Sequence, residues 1–422
     1  MSTFDCKAWT YDAPYPAGLK ITTIQTPRAN DIKSLGTTPH MLLKLKACAL
    51  NPVDIQMMNL LASSWMPGKS KPKTTVCDFS GEVIAGGRTG FIQHDEVFGI
   101  TMKPFDEAGG GLSEMAQFNM ANSCAVKKPS NWTHEQAAAI PLVWLTARTC
   151  IENVAYHVES HPSKRLAVLG GSSAVGIYTI LIAKRRGWKV ITTSSSRNKD
   201  FVTNTLKADA HVDYTTQNVR SEVSKFEPVA VVDCVGGTEC IGLPSSKRYI
   251  SIVGDKTSRS SMGGPYTYYN FLSYHAPLQW IRWAKGYFGL GESYDVVVLE
   301  LKKEWLQEAV DTLRPEEIFI DSTFNFEDAK KAFERLDTGR ARAPTRNIQP
   351  TNTWEDKYPL EDTSWSAIAS ANVVGSTNGK QIMPKAAGNL CRPTTSAVTG
   401  TTHPQNVPVT VPAANANKIK TP

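Results

Sequence analysis

The sequence predicts an α/β protein in three stretches: a mainly-β part over 1–145, a parallel sheet wrapped by helices from 146, and a polar tail from 344. Two changes of pattern along the chain predict this. A third observation, a Gly/Ser turn between a strand and a helix at 170–176, marks the middle stretch as a site for an anionic ligand.

The chain has 422 residues, 41% hydrophobic and 20% charged, enough for two or three full-sized cores. No apolar run reaches the roughly 18–20 residues of a membrane span. The longest, Ala137–Leu145, is broken by Pro141. An integral membrane protein, a fibrous protein and a wholly disordered chain are thereby excluded. The net charge of +7 is spread along the chain, +3 over 344–422 and +4 over the rest, with no long Lys/Arg cluster. That excludes the electrostatic footprint of a nucleic-acid binder and mildly favours an anionic ligand. None of the 8 cysteines forms a C-x-x-C pair, so buried, reduced thiols are expected. The first residues carry neither a secretory apolar core nor an Arg-rich transit pattern, and a cytoplasmic location is expected.

In the first stretch Ile21–Ile24 and Met41–Leu45 read as strands. Gly81-Glu-Val-Ile-Ala-Gly86 and Asp95-Glu-Val-Phe-Gly99 read as β segments bounded by glycines. From 146 strands and helices alternate. Arg165–Leu169 is a short apolar strand, 174–186 a helix and 188–193 a second strand; 229–233, 249–253 and 295–299 are further strands. Such alternation predicts a parallel sheet covered on both faces. Residues 302–313 and 326–336 read as amphipathic helices; Phe326, Ala329, Ala332, Phe333 and Leu336 make a core-facing stripe. Beyond 344 large apolar residues are few, and the composition predicts disorder.

The segment Val168-Leu-Gly-Gly-Ser-Ser-Ala-Val-Gly176 follows a strand and opens a helix. Small residues let a backbone approach a pyrophosphate, and a helix N-terminus offers free N–H groups and partial positive charge. A carboxylate that would take both ribose hydroxyls of NAD is expected roughly 20 residues after the first glycine. The stretch Val190-Ile-Thr-Thr-Ser-Ser-Ser-Arg-Asn-Lys199 has none. Its hydroxyls and the charges of Arg197 and Lys199 suit a 2′-phosphate, so NADPH is the expected cofactor.

Several ordered motifs accompany this turn. Asn51-Pro-Val-Asp54, Asp78-Phe-Ser-Gly-Glu-Val83, Gly110-Gly-Leu-Ser-Glu114 and Ala137-Ala-Ala-Ile-Pro-Leu142 precede it. Val212-Asp-Tyr214, Val232-Asp-Cys-Val-Gly-Gly237 and Gly339-Arg-Ala-Arg342 follow. Over about residues 5–343 the series resembles the medium-chain dehydrogenase/reductase superfamily, in its zinc-free quinone oxidoreductase branch. Within it the chain is most similar to the reticulon-interacting NADPH-dependent oxidoreductases and their fungal relatives. The resemblance implies a GroES-like catalytic domain at 1–145, a Rossmann cofactor domain at 146–301, a return to the first domain at 302–343, a tail at 344–422 and an active site in the cleft between the domains.

By the same resemblance Gly170, Ser172, Ser173, Ala174, Val175 and Gly176 hold the pyrophosphate. Ser195 and Arg197 take the 2′-phosphate, and Tyr214 packs near the adenosine. Val235 and Gly236 face the nicotinamide, and Ala341 and Arg342 close on the cofactor. Two departures stand out. Ser173 occupies a position that is often glycine in the family. The family's Gly-Lys and apolar closing strand are absent after Arg342, so the last strand is expected to be lost and a sheet edge left open.

Asn51 stands where zinc-dependent relatives have a ligand cysteine, and residues 85–120 contain no cysteine, so no metal is expected. Without a Lewis acid, reduction of a quinone or an α,β-unsaturated carbonyl is the expected reaction, because such a substrate itself delocalises the incoming charge. Asn51 is a candidate donor to the developing oxyanion, or alternatively a cap of its own turn, and Asp54 anchors that loop. The proton source is left open between Tyr266, Tyr268, Tyr269 and water. Two other readings stand beside the quinone or enone reductase: an enoyl reductase of a secondary-metabolite pathway, and a non-catalytic NADPH-binding scaffold. The resemblance also implies a homodimer. No nucleic-acid partner is expected.

Overall fold

The computed structural model describes residues 3–34, 39–62, 72–106, 108–254, 275–339 and 345–348. The contacts divide the chain at residue 362 into two units, and all described residues belong to the first.

In chain order this unit contains β1 (Thr3–Tyr11), β2 (Lys20–Pro27), β3 (His40–Leu50), α1 (Pro52–Ala62), β4 (Lys73–Thr74), β5 (Asp78–Ala85), β6 (Glu96–Thr101), β7 (Met115–Asn119), β8 (Ser123–Lys127), α2 (His134–Ala138) and α3 (Pro141–Glu159). There follow β9 (Arg165–Leu169), α4 (Ala174–Arg185), β10 (Lys189–Ser194), β11 (Ala210–Asp213), α5 (Val219–Phe226), β12 (Ala230–Asp233), β13 (Arg248–Ser251), α6 (His275–Tyr287) and β14 (Ser293–Val296). Last come α7 (Lys303–Thr312), β15 (Ser322–Asn325), α8 (Ala329–Asp337) and β16 (Thr345–Ile348).

Three sheets result. A small one runs β2-β1-β4. A seven-stranded one runs β15-β16-β3-β5-β6-β8, with β7 also paired to β3. The third runs β11-β10-β9-β12-β13-β14, and every pair in it is parallel. Counted from its first strand, β9, that order is 3-2-1-4-5-6, the doubly wound arrangement that binds dinucleotides where the strand order reverses. Here the reversal lies between β9 and β12.

Alternation along the strands explains why this sheet is buried on both faces. Leu166 and Val168 of β9 join the core of α3 and α4 with Trp144 and Tyr178, while Ala167 and Leu169 join the opposite layer with Ile191, Val231 and Tyr249. In the β-rich part, α8 seats Phe333 and Leu336 against Trp9 and Leu50, and Trp9 Nε1 donates to the Phe326 carbonyl at 2.8 Å. The expected helical stripe from 326 is therefore core, although Phe326–Asp328 is a single 3-10 turn ahead of α8.

Two expectations change. The expected boundary at 145/146 falls inside α3, whose Pro141 sits in the first turn, so one helix leads from the β-rich part into the parallel sheet. The expected open edge is filled: β16 lies between β15 and β3, with Arg346 opposite both Ala49 and Thr323. Residues 345–348 thus belong to the sheet and not to the tail. The rest of the tail, 349–422, lies outside the described residues, as do Ala341, Arg342, Tyr266, Tyr268 and Tyr269.

Candidate functional site

β9 delivers the chain to Gly170, which turns it at φ +83°, a conformation that disfavours any side chain. The turn is bound to β10 by two hydrogen bonds: Gly170 N donates to Thr193 Oγ1 at 2.8 Å and Gly171 N to the Thr193 carbonyl at 2.9 Å. A Cβ on Gly171 would stand 2.0 Å from Thr192 Oγ1, and one on Gly176 2.2 Å from the Gly170 carbonyl oxygen. The backbone is packed as tightly as glycine permits, which leaves a shallow cradle in front of α4. Ser173 is the N-cap of that helix, its Oγ accepting the Gly176 N–H at 3.1 Å. The first N–H groups of a helix have no intrahelical partner, and the first turn of α4 has no acidic residue. Ser172, Ser173 and Ala174 are half-buried at the mouth of the cradle, and Val175 is buried behind it. These residues fit a pyrophosphate.

The next strand end lies beside this turn. After Ser194 a 3-10 turn, Ser196–Asn198, leaves Ser195 half-buried and Arg197 exposed. Arg197 and Lys199 have no carboxylate partner among the described residues. Asn198 is buried, and its Nδ2 donates to Ser172 Oγ at 3.0 Å, which ties the two turns together. Tyr214, 60% exposed, follows β11, and its N–H donates to the Ser194 carbonyl at 3.3 Å. The Gly170–Gly176 turn, the Ser195–Arg197 turn and Tyr214 thus line the carboxyl ends of three adjacent strands.

On the other side of the reversal point β12 ends in Asp233-Cys-Val-Gly236. The Cys234 N–H donates to the Leu169 carbonyl at 3.0 Å, and Gly236 takes φ +81°. Val235 is 42% exposed and faces Gly170. Asp233 is buried, and burial pushes its carboxyl up to about 6.

Asn51 and Asp54 lie elsewhere, in a buried polar knot at the start of α1. The Asn51 N–H donates to Asp54 Oδ2 at 2.7 Å, and the Cys77 N–H donates to Asp54 Oδ1 at 3.0 Å. Asp54 therefore anchors the β3–α1 turn to the start of β5. The Asn51 carboxamide donates to Asp78 Oδ2 at 2.9 Å and to the Ala49 carbonyl at 3.3 Å. Asp78 Oδ1 accepts the Leu142 N–H at 3.0 Å, in the first turn of α3. Both protons of the Asn51 carboxamide are thus engaged within this knot. Burial raises Asp54 to about 6 and Asp78 well above the usual carboxylate range, the nearby Asp54 charge also raising Asp78.

Sequence reasoning missed Thr193, Asn198, Asp78 and Asp233 as members of these networks, although all four stand in segments already singled out. Their partners are distant in sequence, so only the Ser/Thr/Asn/Asp residue type at a strand end was available as a signal.

Residues 206–343 match the family described as zinc-binding dehydrogenase. The trans-enoyl reductase pgmF of Aspergillus terreus (strain NIH 2624 / FGSC A1156) is 28% identical over 83% of this chain and 98% of that protein. The mitochondrial NAD(P)H oxidoreductase RTN4IP1 of Danio rerio is 29% identical over 47% of this chain and 54% of its own length. The quinone oxidoreductase structure from Coxiella burnetii superposes with a TM-score of 0.63 at 22% identity, covering 82% of this chain and 99% of that one. Among the described residues no group of three or more His, Cys, Asp or Glu side chains is placed to hold a metal ion.

Proposed function

Because the chain belongs to the medium-chain dehydrogenase/reductase superfamily and is an NAD(P)H-dependent oxidoreductase, we propose that it uses NADPH and reduces a quinone or an α,β-unsaturated carbonyl without a metal. The observation that carries this reading is the Gly170–Gly176 cradle at the reversal point of the parallel sheet, flanked by Arg197 and Lys199 and by no carboxylate up to Lys199.

The assignments follow the resemblance, and the turn geometry after β9 and β10 supports them. The first N–H groups of α4 and the Ser172 and Ser173 hydroxyls receive the pyrophosphate. Ser195 and Arg197 receive the 2′-phosphate, with Tyr214 against the adenine. Val235 and Gly236 form the wall beside the nicotinamide; Ala341 and Arg342, assigned to the cofactor by the resemblance alone, lie outside the described residues. When bound, NADPH supplies a hydride; the protein's part is orientation and exclusion of water. Asn51 and Asp54 act from below, by holding the β3–α1 turn against α3. A conjugated carbonyl spreads the incoming charge over its own oxygen, so the reaction needs no Lewis acid.

An enoyl reductase is the second reading, favoured by the match to 98% of the length of the Aspergillus protein. It is the same chemistry on a thioester. Consumption of NADPH and of NADH with quinones, simple enones and enoyl thioesters decides among these readings. Selective use of NADPH with one class supports the proposal. Tight NADPH binding without turnover on any of them would support a scaffold instead.

We also propose a homodimer and a cytosolic location. β14 is an edge strand of its sheet, and beside it Trp280, Ile281, Phe288 and Leu290 are exposed, an apolar patch of the kind that marks an interface. Seven described cysteines are buried free thiols, which suits a reducing compartment. Among the described residues no helix is long and apolar enough to cross a membrane.

A further inference from the structure

The crevice between β9 and β12 has two walls. One is the glycine turn after β9; the other is the turn after β12, built on a single carboxylate. Asp233, 1% exposed, accepts the N–H groups of Val235 and Gly236 on Oδ1, both at 2.9 Å, and the Ser251 hydroxyl on Oδ2 at 2.8 Å. Ser251 ends β13 and accepts the N–H of Gly254 at 2.9 Å and of Val253 at 3.3 Å. One buried side chain therefore fixes two consecutive amides of one strand end and couples them to the next strand.

What this holds in place is an apolar residue that remains exposed. Val235 lies so close to Gly170 that a Cβ there would stand 2.3 Å from Val235 Cγ1. Behind it the Cys234 N–H is tied to β9. Val235 has little room to move, and it sits where the strand order reverses. A buried carboxylate is costly to maintain unless its oxygens are paired, and here three donors pair them. No other described side chain holds both the Val235 and the Gly236 amide.

We propose that Asp233 is a positioning residue for hydride transfer: by fixing Val235 and Gly236 it sets the wall against which the nicotinamide ring is held. This rests on the NADPH reading and adds to it a residue that touches neither cofactor nor substrate.

The test compares Asp233→Asn and Asp233→Ala with the wild type, each as the full chain. Asn keeps one acceptor oxygen and Ala keeps none. Four quantities are measured: NADPH affinity by fluorescence titration without acceptor, kcat and KM for the best acceptor, the primary isotope effect with 4-deuterated NADPH, and the thermal midpoint. A misplacement of the order of 1 Å costs about 100-fold in rate. Asp233→Ala is therefore expected to lose about that much in kcat, with KM for the acceptor near the wild-type value, a larger isotope effect, and Asp233→Asn in between. Should Asp233→Ala not fold, Asp233→Asn carries the same comparison. A lower midpoint with unchanged kcat per NADPH-binding site and an unchanged isotope effect would overturn the assignment. A wild type that does not bind NADPH would overturn the reading beneath it, and the assignment with it. A wild type that turns over normally beside an equally fast Asp233→Asn would overturn the assignment alone.

Discussion

Gly170 and Val235, each just beyond the end of a parallel strand, meet so closely that a Cβ on the first would stand 2.3 Å from Cγ1 of the second. Gly170→Ala therefore meets two obstacles at once, this contact and a φ of +83°. The expected cost is about 1–3 kcal/mol of stability, together with weaker NADPH binding. Val235→Ala in the same chain removes the contact but not the strained φ, so it should restore only part of the loss. Thermal melts and cofactor titrations of the single and double variants measure this; full restoration would show that the φ carries no cost.

Arg197 is exposed on its 3-10 turn and has no carboxylate partner among the described residues. Arg197→Asp places a carboxylate against the 2′-phosphate and beside the ribose hydroxyls. NADPH affinity should fall by at least about tenfold relative to NADH, the size of a lost charge-assisted bond, with the midpoint nearly unchanged. Equal losses for both cofactors would remove the assignment of this turn.

The Asp54–Asp78 knot predicts a particular dependence on pH. A carboxyl whose pKa is higher in the folded than in the unfolded chain takes up a proton on folding. Its share of stability is present below the ordinary value of 3.8 and drains away as pH rises through the folded value. For Asp54 that window runs from 3.8 to about 6, and for Asp78 it likewise opens upward from 3.8. Asp78→Asn does not titrate, and the Asn51 carboxamide can turn over to pair with it. The midpoint advantage of the wild type over Asp78→Asn should therefore be greatest near the acid end of the window and shrink toward neutrality. An advantage that grows with pH would mean that the folded chain holds Asp78 below its ordinary value, and one independent of pH that Asp78 is unshifted.

β16 supplies a fourth test. Arg346→Pro removes a backbone donor from the strand between β3 and β15 and should lower the thermal midpoint. Truncation after Gly339 should lower the midpoint further. Truncation after Pro350 should leave it nearly unchanged, because the composition beyond that point cannot support a core. Collapse on the last truncation would place structure in residues 351–422.

The parallel sheet was legible because its strands are short apolar runs buried on both faces. Arg165–Leu169 is found where the pattern placed it, and 229–233 begins one residue later, as Ala230–Asp233. The strand expected at 295–299 begins earlier, at Ser293, since Ser293 and Tyr294 pair with Arg248 and Tyr249 whatever their local propensity. β16 was illegible for a related reason. Thr-Arg-Asn-Ile after a proline has no alternating apolar pattern, and its strand form comes from ladders on both sides. In the site, the glycine turn was readable because a local backbone need dictates its residues. The Asp78–Leu142 and Gly170–Thr193 bonds join positions 64 and 23 residues apart, and no local pattern marks them.

The place of β16 between β15 and β3 also sets an order of events during synthesis. β3 is made among the first fifty residues; β7 comes early to cover residues 40–44 of one edge, yet the partner of 47–50 on that edge arrives only with residue 345. At about 5–20 residues per second, that edge waits some tens of seconds for its partner. The strands of the parallel sheet lie within residues 165–296 and can associate before the ribosome reaches the closing strand. Until then the nascent chain carries a finished nucleotide-binding half beside an unpaired β edge, a form exposed to edge-to-edge aggregation and dependent on being kept apart from its own copies.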